Sequence, residues 1–171
     1  MTDVISISYE VDPTYDNSLA EERLREAVDK ILLAGNFDLE ALKFILLTEK
    51  IMNGSVSLRI SGFDYGESRV SSIPLYAINI MNVIIKTATF DEEGKYKFEE
   101  SSTWLSFKSS HKLCEVSLRR NNKLLARDEV DMISLQRKIG SFYQNTLTEL
   151  MDRHARLQKI SLLTNHFPLS I

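Results

Sequence analysis

The run from Ser72 to Phe90, SIPLYAINIMNVIIKTATF, is the densest apolar stretch of the chain and constrains everything else it can do. It reads as a helix. Ser72 can cap it, Pro74 falls in the first turn where a missing backbone donor costs nothing, and Asn79, Asn82 and Lys86 recur at i, i+3 and i+7. These three share one narrow stripe. Apolar side chains from Ile73 to Ile85 fill the rest of the circumference, so the helix needs cover on most sides. A membrane span needs about 20 predominantly apolar residues. This run is shorter and is broken by two Asn and a Lys, so the expectation is a buried core helix and no membrane.

The flanking sequence supplies the cover. Ile5, Ile7, Tyr9 and Val11 alternate with Ser6, Ser8 and Glu10, which predicts a strand from Val4 to Val11 with one buried face. After the turn residues Asp12-Pro13 and Asp16-Asn17, Ser18 and Glu21 have capping-box spacing and open a helix that runs to Ala34 and stops at Gly35. Leu24, Ala27, Val28, Ile31 and Leu32 mark its inner side, and Glu22, Glu26 and Asp29 form an acidic row opposite. Asp38 caps a second helix with Leu39, Leu42, Ile45 and Leu46 inward, ending near Asn53-Gly54; periodicity does not settle the short apolar run Phe44 to Leu47, and helix is adopted over strand there. Val56, Leu58 and Ile60 then alternate as another strand. The glycine-flanked loop Gly62 to Gly66 carries Phe63 and Tyr65, which either fold back over the core or serve recognition.

Beyond the central helix, Asp91-Glu92-Glu93-Gly94 is an acidic turn, and four strands follow in a meander. Tyr96 and Phe98, Leu105 and Phe107, and Cys114, Val116 and Leu118 point inward, with charged or polar residues between them. Asn121-Asn122 suits a tight hairpin. A two-residue turn there sets Leu125 beside Leu118, a three-residue turn sets Ala126 there, and the first is adopted. Asp131 or Ser134 starts a final helix with Leu135, Ile139, Phe142, Thr146 and Leu150 on one stripe, ending around His154 to Leu157. Gly140 inside it suggests close packing, and the apolar tail from Ile160 to Ile171 is expected to dock. The order predicts an α+β fold: a mainly antiparallel sheet of about five to six strands, with helices on one face around the central helix. The other face meets water, and Trp104 sits on it, as a partner contact or beneath the tail.

At 171 residues, with 43% apolar and 26% charged residues, the chain fits one domain spanning 1–171. A net charge of -3 argues against nucleic acid as partner. One cysteine, Cys114, allows no intrachain disulfide, and the N-terminus lacks a secretory pattern, so the expected compartment is the cytoplasm. Chemistry is sparse. His111, His154 and His166 lie apart from one another and from Cys114, and no phosphate loop, nucleophile elbow or zinc helix motif occurs, so no metal and no cofactor are expected. An acid–base pair could only be assembled from distant groups, such as His111 with Glu115 or Asp64 with Glu67. Asn79, Asn82 and Lys86 face water or line a pocket. The basic residues Arg119, Arg120, Lys123 and Arg127 read as a solvated hairpin, since acids follow at once and no aromatic ladder accompanies them.

From Ser72 to Leu150, about half of the chain, a Ser-Ile-Pro helix is followed by an acidic-glycine turn, a Lys-Phe-Glu-Glu strand, a Trp strand and a charged hairpin. In this arrangement the chain resembles the small bacterial toxin-immunity proteins and related uncharacterised α+β families. The resemblance implies inhibition by occluding a toxin's active site, with no chemistry of its own, and carries over no binding residues. Charge alone therefore nominates Glu22, Glu26, Asp29 and Asp91, Glu92 and Glu93, together with Trp104, as contacts to a larger and more basic protein. The rival expectation is a small-molecule or enzymatic cleft beside the central helix at Asn79, Asn82 and Lys86. A homodimer through the Trp104 face is a third.

Overall fold

The computed structural model describes residues 5–33, 35, 38–99, 101–155 and 157. Val4, Ala34 and the tail from Ile160 to Ile171, with His166, lie outside the described residues. The elements run β1 (Ile5–Val11), α1 (Asn17–Leu33), α2 (Leu39–Thr48), β2 (Gly54–Ile60), β3 (Phe63–Asp64), α3 (Ile73–Phe90), β4 (Gly94–Lys97), β5 (Thr103–Ser110), β6 (Leu113–Arg120), β7 (Lys123–Asp131) and α4 (Met132–Arg153). The fold is α+β with antiparallel pairing. Its strands divide into a three-stranded sheet, β1-β2-β3, and a four-stranded sheet, β4-β5-β6-β7. This corrects the expected single sheet of five to six strands. Tight turns let β4 to β7 pair in sequence, whereas β1 finds β2 across the α1–α2 hairpin, and the 18-residue α3 separates the two sets.

Helix α3 forms as its sequence dictates. The Ser72 side chain accepts from the Leu75 backbone N–H at 3.2 Å, Pro74 occupies the first turn, and Asp91 closes the helix in the left-handed conformation. It is the one described helix long and apolar enough to cross a membrane, yet more than half of it is buried inside the protein. Helix α4 lies along it, and the α3–α4 pair touches strands of both sheets. Leu135, Ile139, Phe142, Thr146 and Leu150 on α4 are all buried, as their spacing requires, and so is Gly140. Asp131 caps this helix by accepting from the Ser134 N–H at 2.9 Å.

Several local expectations are corrected. Helix α1 is not opened by a Ser18–Glu21 capping box. The Asp16 carboxylate accepts from the Ser18 and Leu19 N–H groups at 2.9 and 3.1 Å, which frees Glu21 for a contact elsewhere. Leu32 is exposed, because the buried stripe of α1 is narrower than its apolar pattern and is held by Ala20, Leu24 and Val28. Helix α2 stops at Thr48, and the chain turns through left-handed Lys50 and Met52 before β2. Phe63 joins β3 and stays exposed, while Tyr65 is fully buried.

The hairpin register combines both alternatives. Asn121 and Asn122 both have positive φ and form a two-residue turn that pairs Arg120 with Lys123. A bulge at Leu118/Arg119 then shifts the register, so Ala126 rather than Leu125 stands opposite Leu118.

Gly66 marks the tightest approach between the loop before α3 and the first sheet. A Cβ there would collide with the Val56 carbonyl and lie 2.7 Å from Ser57 Cα. Gly66→Ala is therefore expected to lower unfolding free energy by about 1–3 kcal/mol or more, measured by urea denaturation. Gly62→Ala has open space around it and pays only for its left-handed backbone, so its loss should be smaller.

Candidate functional site

Three arrangements of polar side chains bear on function, and they lie in different places. The first joins α1 to the end of α4. His154 is fully buried, with Nδ1 2.5 Å from the Glu21 carboxylate and Nε2 2.6 Å from the Tyr15 hydroxyl. A carboxylate only accepts, so the network assigns a proton to Nδ1, which donates to Glu21, while Nε2 and the Tyr15 hydroxyl share the second hydrogen bond. Arg153 donates to Glu149 and to Asn17, and its guanidinium lies 5.8 Å from the centre of the Tyr15 ring. Tyr9 in turn donates to Glu149 at 2.9 Å. Carboxylate, imidazole and phenol in series could pass a proton, but His154 has no exposed surface, and Glu21, His154 and Tyr15 line neither cleft described below. The arrangement is a lock between α1 and α4. Sequence reasoning missed it because Glu21 and His154 are 133 positions apart and Glu21 has a plausible local role.

The second lies around Glu67, which is buried and accepts from the Tyr96 hydroxyl at 3.0 Å and from the Glu99 N–H at 2.8 Å. Burial, then the charge of Glu67, pushes the Tyr96 phenol far up. Asp64, its expected acid–base companion, instead orders the β2–β3 corner by accepting from Ser57, Leu58 and Gly66. His111 sits exposed and left-handed in the β5–β6 turn, and Glu115 stands across from Lys108 and Glu129.

The third is a cleft of about 640 Å³ between the end of β1, the start of β2 and the loop before α3. Lys50 and Arg69 line it together with Glu10, Asp12 and Glu99. It is the larger of the two clefts described. The smaller, about 410 Å³, runs between β1 and the α4 face bearing Lys138, Ser141, Phe142 and Asn145. Asn79, Asn82 and Lys86 line neither: the two Asn are half-buried and Lys86 is exposed. The expected cleft beside α3 is therefore neither of these two.

The nominated contact residues separate as well. Glu22, Glu26 and Asp29 are exposed along α1. Asp91, Glu92 and Glu93 are exposed in the turn after α3, where Glu93 accepts from Ser106 at 2.5 Å. Trp104 is half-buried on the outer face of the second sheet, in register between Lys97 and Arg119. The structure brings Glu93 to the Trp104 face through Ser106 but surrounds Trp104 mainly with cations, which sequence adjacency does not reveal. Among the described residues, no group of three or more His, Cys, Asp or Glu is gathered in a way that could hold a metal ion. The chain matches no known family model, no curated protein and no solved structure.

Cys114 is buried and free, and burial pushes its thiol up to about 12. Burial, with the Glu149 carboxylate beside it, likewise pushes the Tyr9 phenol up to about 12. Both groups favour the folded state only while protonated, so the stability they contribute is full below their ordinary values of 9 and 10 and is lost as pH rises toward 12. Melting temperature should fall through that window. A thiol reagent should leave native Cys114 untouched below pH 9 and label it on unfolding.

His154→Ala removes the shared partner of Glu21 and Tyr15. It should lower stability by about 1–3 kcal/mol, with amide exchange accelerating first in α1.

Proposed function

We propose that this protein is a non-catalytic protein-binding module of the immunity type, acting in the cytoplasm by occluding a larger and more basic toxin or enzyme partner. One observation supports this above the rest. Leu19, Glu22, Glu26, Asp29 and Leu33 recur at i, i+3, i+7, i+10 and i+14, and all five are exposed on α1. That spacing makes one straight seam along the helix. Leucines stand at both ends, 54% and 89% exposed, with three carboxylates between them.

A solvated helix face does not need apolar ends. On α2, Phe44 is a further exposed apolar side chain, at 64%. Several other acids have structural work: Asp16, Asp38 and Asp131 cap helices, Glu21 holds His154, and Glu99 holds the Ser71 N–H and hydroxyl. Glu22 and Glu26 have no such partner among the described residues. Apolar anchors with an acidic centre suit a partner helix or ridge that is basic in its middle and apolar at its ends.

The test is to tag the protein, purify it at low salt from the cell that makes it, and size the eluate with mass identification. A second chain at fixed stoichiometry, released as salt rises, is expected. The triple variant Glu22→Lys, Glu26→Lys, Asp29→Lys should weaken that complex by roughly tenfold or more, mainly through the association rate. Undiminished binding by the triple variant would remove the α1 surface from the interface.

A second reading, small-molecule binding, moves from the α3 stripe to the Lys50–Arg69 cleft. Its size and opposed charges, and the left-handed backbone of Lys50 at its rim, favour it. A rise in melting temperature with zwitterionic metabolites, lost in Arg69→Ala, is what that reading requires.

A further inference from the structure

The outer face of the four-stranded sheet is not used by the α1 surface and has the opposite charge. Strand register sets Lys97, Trp104, Arg119 and Leu124 in one row across β4, β5, β6 and β7, and Lys95, Ser106, Ser117 and Arg127 in the next. The two-residue turn pairs Leu124 with Arg119 on this side, where it is 41% exposed, and the bulge beyond it brings Arg127 to the same side. The opposite side of the sheet carries the buried rows through Tyr96, Leu105 and Leu118 and through Phe107 and Val116, against which α3 and α4 pack. On the outer side Lys95, Lys97 and Arg127 are exposed. Among the described residues, the carboxylate hydrogen-bonded to these two rows is Glu93, on Ser106. A chain of net charge -3 therefore presents four cations around its single tryptophan.

We propose that this face is a second docking surface, which takes an acidic segment of a partner protein. An apolar side chain of that segment seats against Trp104 and Leu124, and its carboxylates meet Lys95, Lys97, Arg119 and Arg127. Charge complementarity selects the sign of the occupant, and the aromatic flanked by two cations supplies the anchor that a merely solvated sheet lacks. A nucleic-acid strand fits less well. One aromatic gives one stacking platform, and the adjoining row, Lys108, Glu115 and Glu129, sets two carboxylates in the path of a phosphate backbone. The inference does not rest on the α1 reading.

Trp104 is the only tryptophan, so its fluorescence reports this face alone. The full chain at low salt is titrated with a short peptide alternating glutamate and leucine, and with oligodeoxythymidine of equal charge. The peptide is expected to shift Trp104 emission saturably, and Lys97→Glu with Arg119→Glu to weaken it by roughly tenfold or more. Trp104→Phe, followed by calorimetry, should bind measurably but more weakly. The α1 triple variant should bind the peptide unchanged, which keeps failure of this inference distinct from failure of the α1 interface. Thermal melts establish that each variant is folded. No saturable shift, a shift that survives the double charge reversal in folded protein, or tighter binding of the oligonucleotide than of the peptide would each overturn the proposal. So would a dimer mass in which Trp104 is already covered, since the occupant would then be a second copy.

Discussion

The structure depends on the requirement that α3 be covered nearly all round. Its apolar circumference cannot be satisfied by one sheet face, so the chain supplies α4 on one side and strands from both sheets on others. An aromatic series marks the junction. Tyr9 of β1 meets Phe142 of α4 at 5.8 Å between ring centres, Phe142 meets Tyr76 of α3 at 6.0 Å, and Tyr76 meets Tyr96 of β4 at 5.0 Å, each edge to face. Those contacts connect the two sheets through the helix pair, although no backbone ladder joins them. Residues from both sheets and all four helices accordingly belong to one contiguous core.

Polar contacts then decide what stays outside. Glu21, His154 and Tyr15 hold α1 against the end of α4, and Arg153, Glu149 and Tyr9 extend the same network to β1. A helix fixed along its inner side presents its outer seam in a constant geometry, which lowers the ordering cost of any association there. In this lock both ring nitrogens of His154 are engaged inside, and neither of the two clefts described is lined by it.

The two charged surfaces follow from the same economy of partners. Acids near the core are consumed as caps and hydrogen-bond acceptors, whereas Glu22 and Glu26 of the α1 row stand exposed as negative charge on the surface. On the second sheet, antiparallel register collects Lys95, Lys97, Arg119 and Arg127, which come from three strands, into two adjacent rows. In sequence these cations are mixed with Asp128, Glu129 and Asp131, and the chain there looks nearly neutral. Alternation divides them between the faces: Asp128 turns inward to accept from Tyr65, and Arg127 turns outward.

Sequence by itself determined the elements whose information is local. The α3 run, the α4 stripe from Leu135 to Leu150, the Asp38 and Ser72 caps, and the alternating strands are legible because periodicity and capping act within a few residues. The acidic row of α1 was legible for the same reason, since helical spacing alone puts Glu22, Glu26 and Asp29 on one side. Tertiary structure decided whatever depended on a distant partner. It split the strands into two sheets and drew Glu21 away from a local cap to His154. It placed the larger cleft at Lys50 and Arg69 rather than at Asn79, and used one bulge to turn Arg127 out to the face of Trp104. The physical reason is common to all four: a hydrogen-bonding or apolar group takes the best partner the folded chain brings within reach, and sequence spacing shows only the partners that lie nearby along the chain.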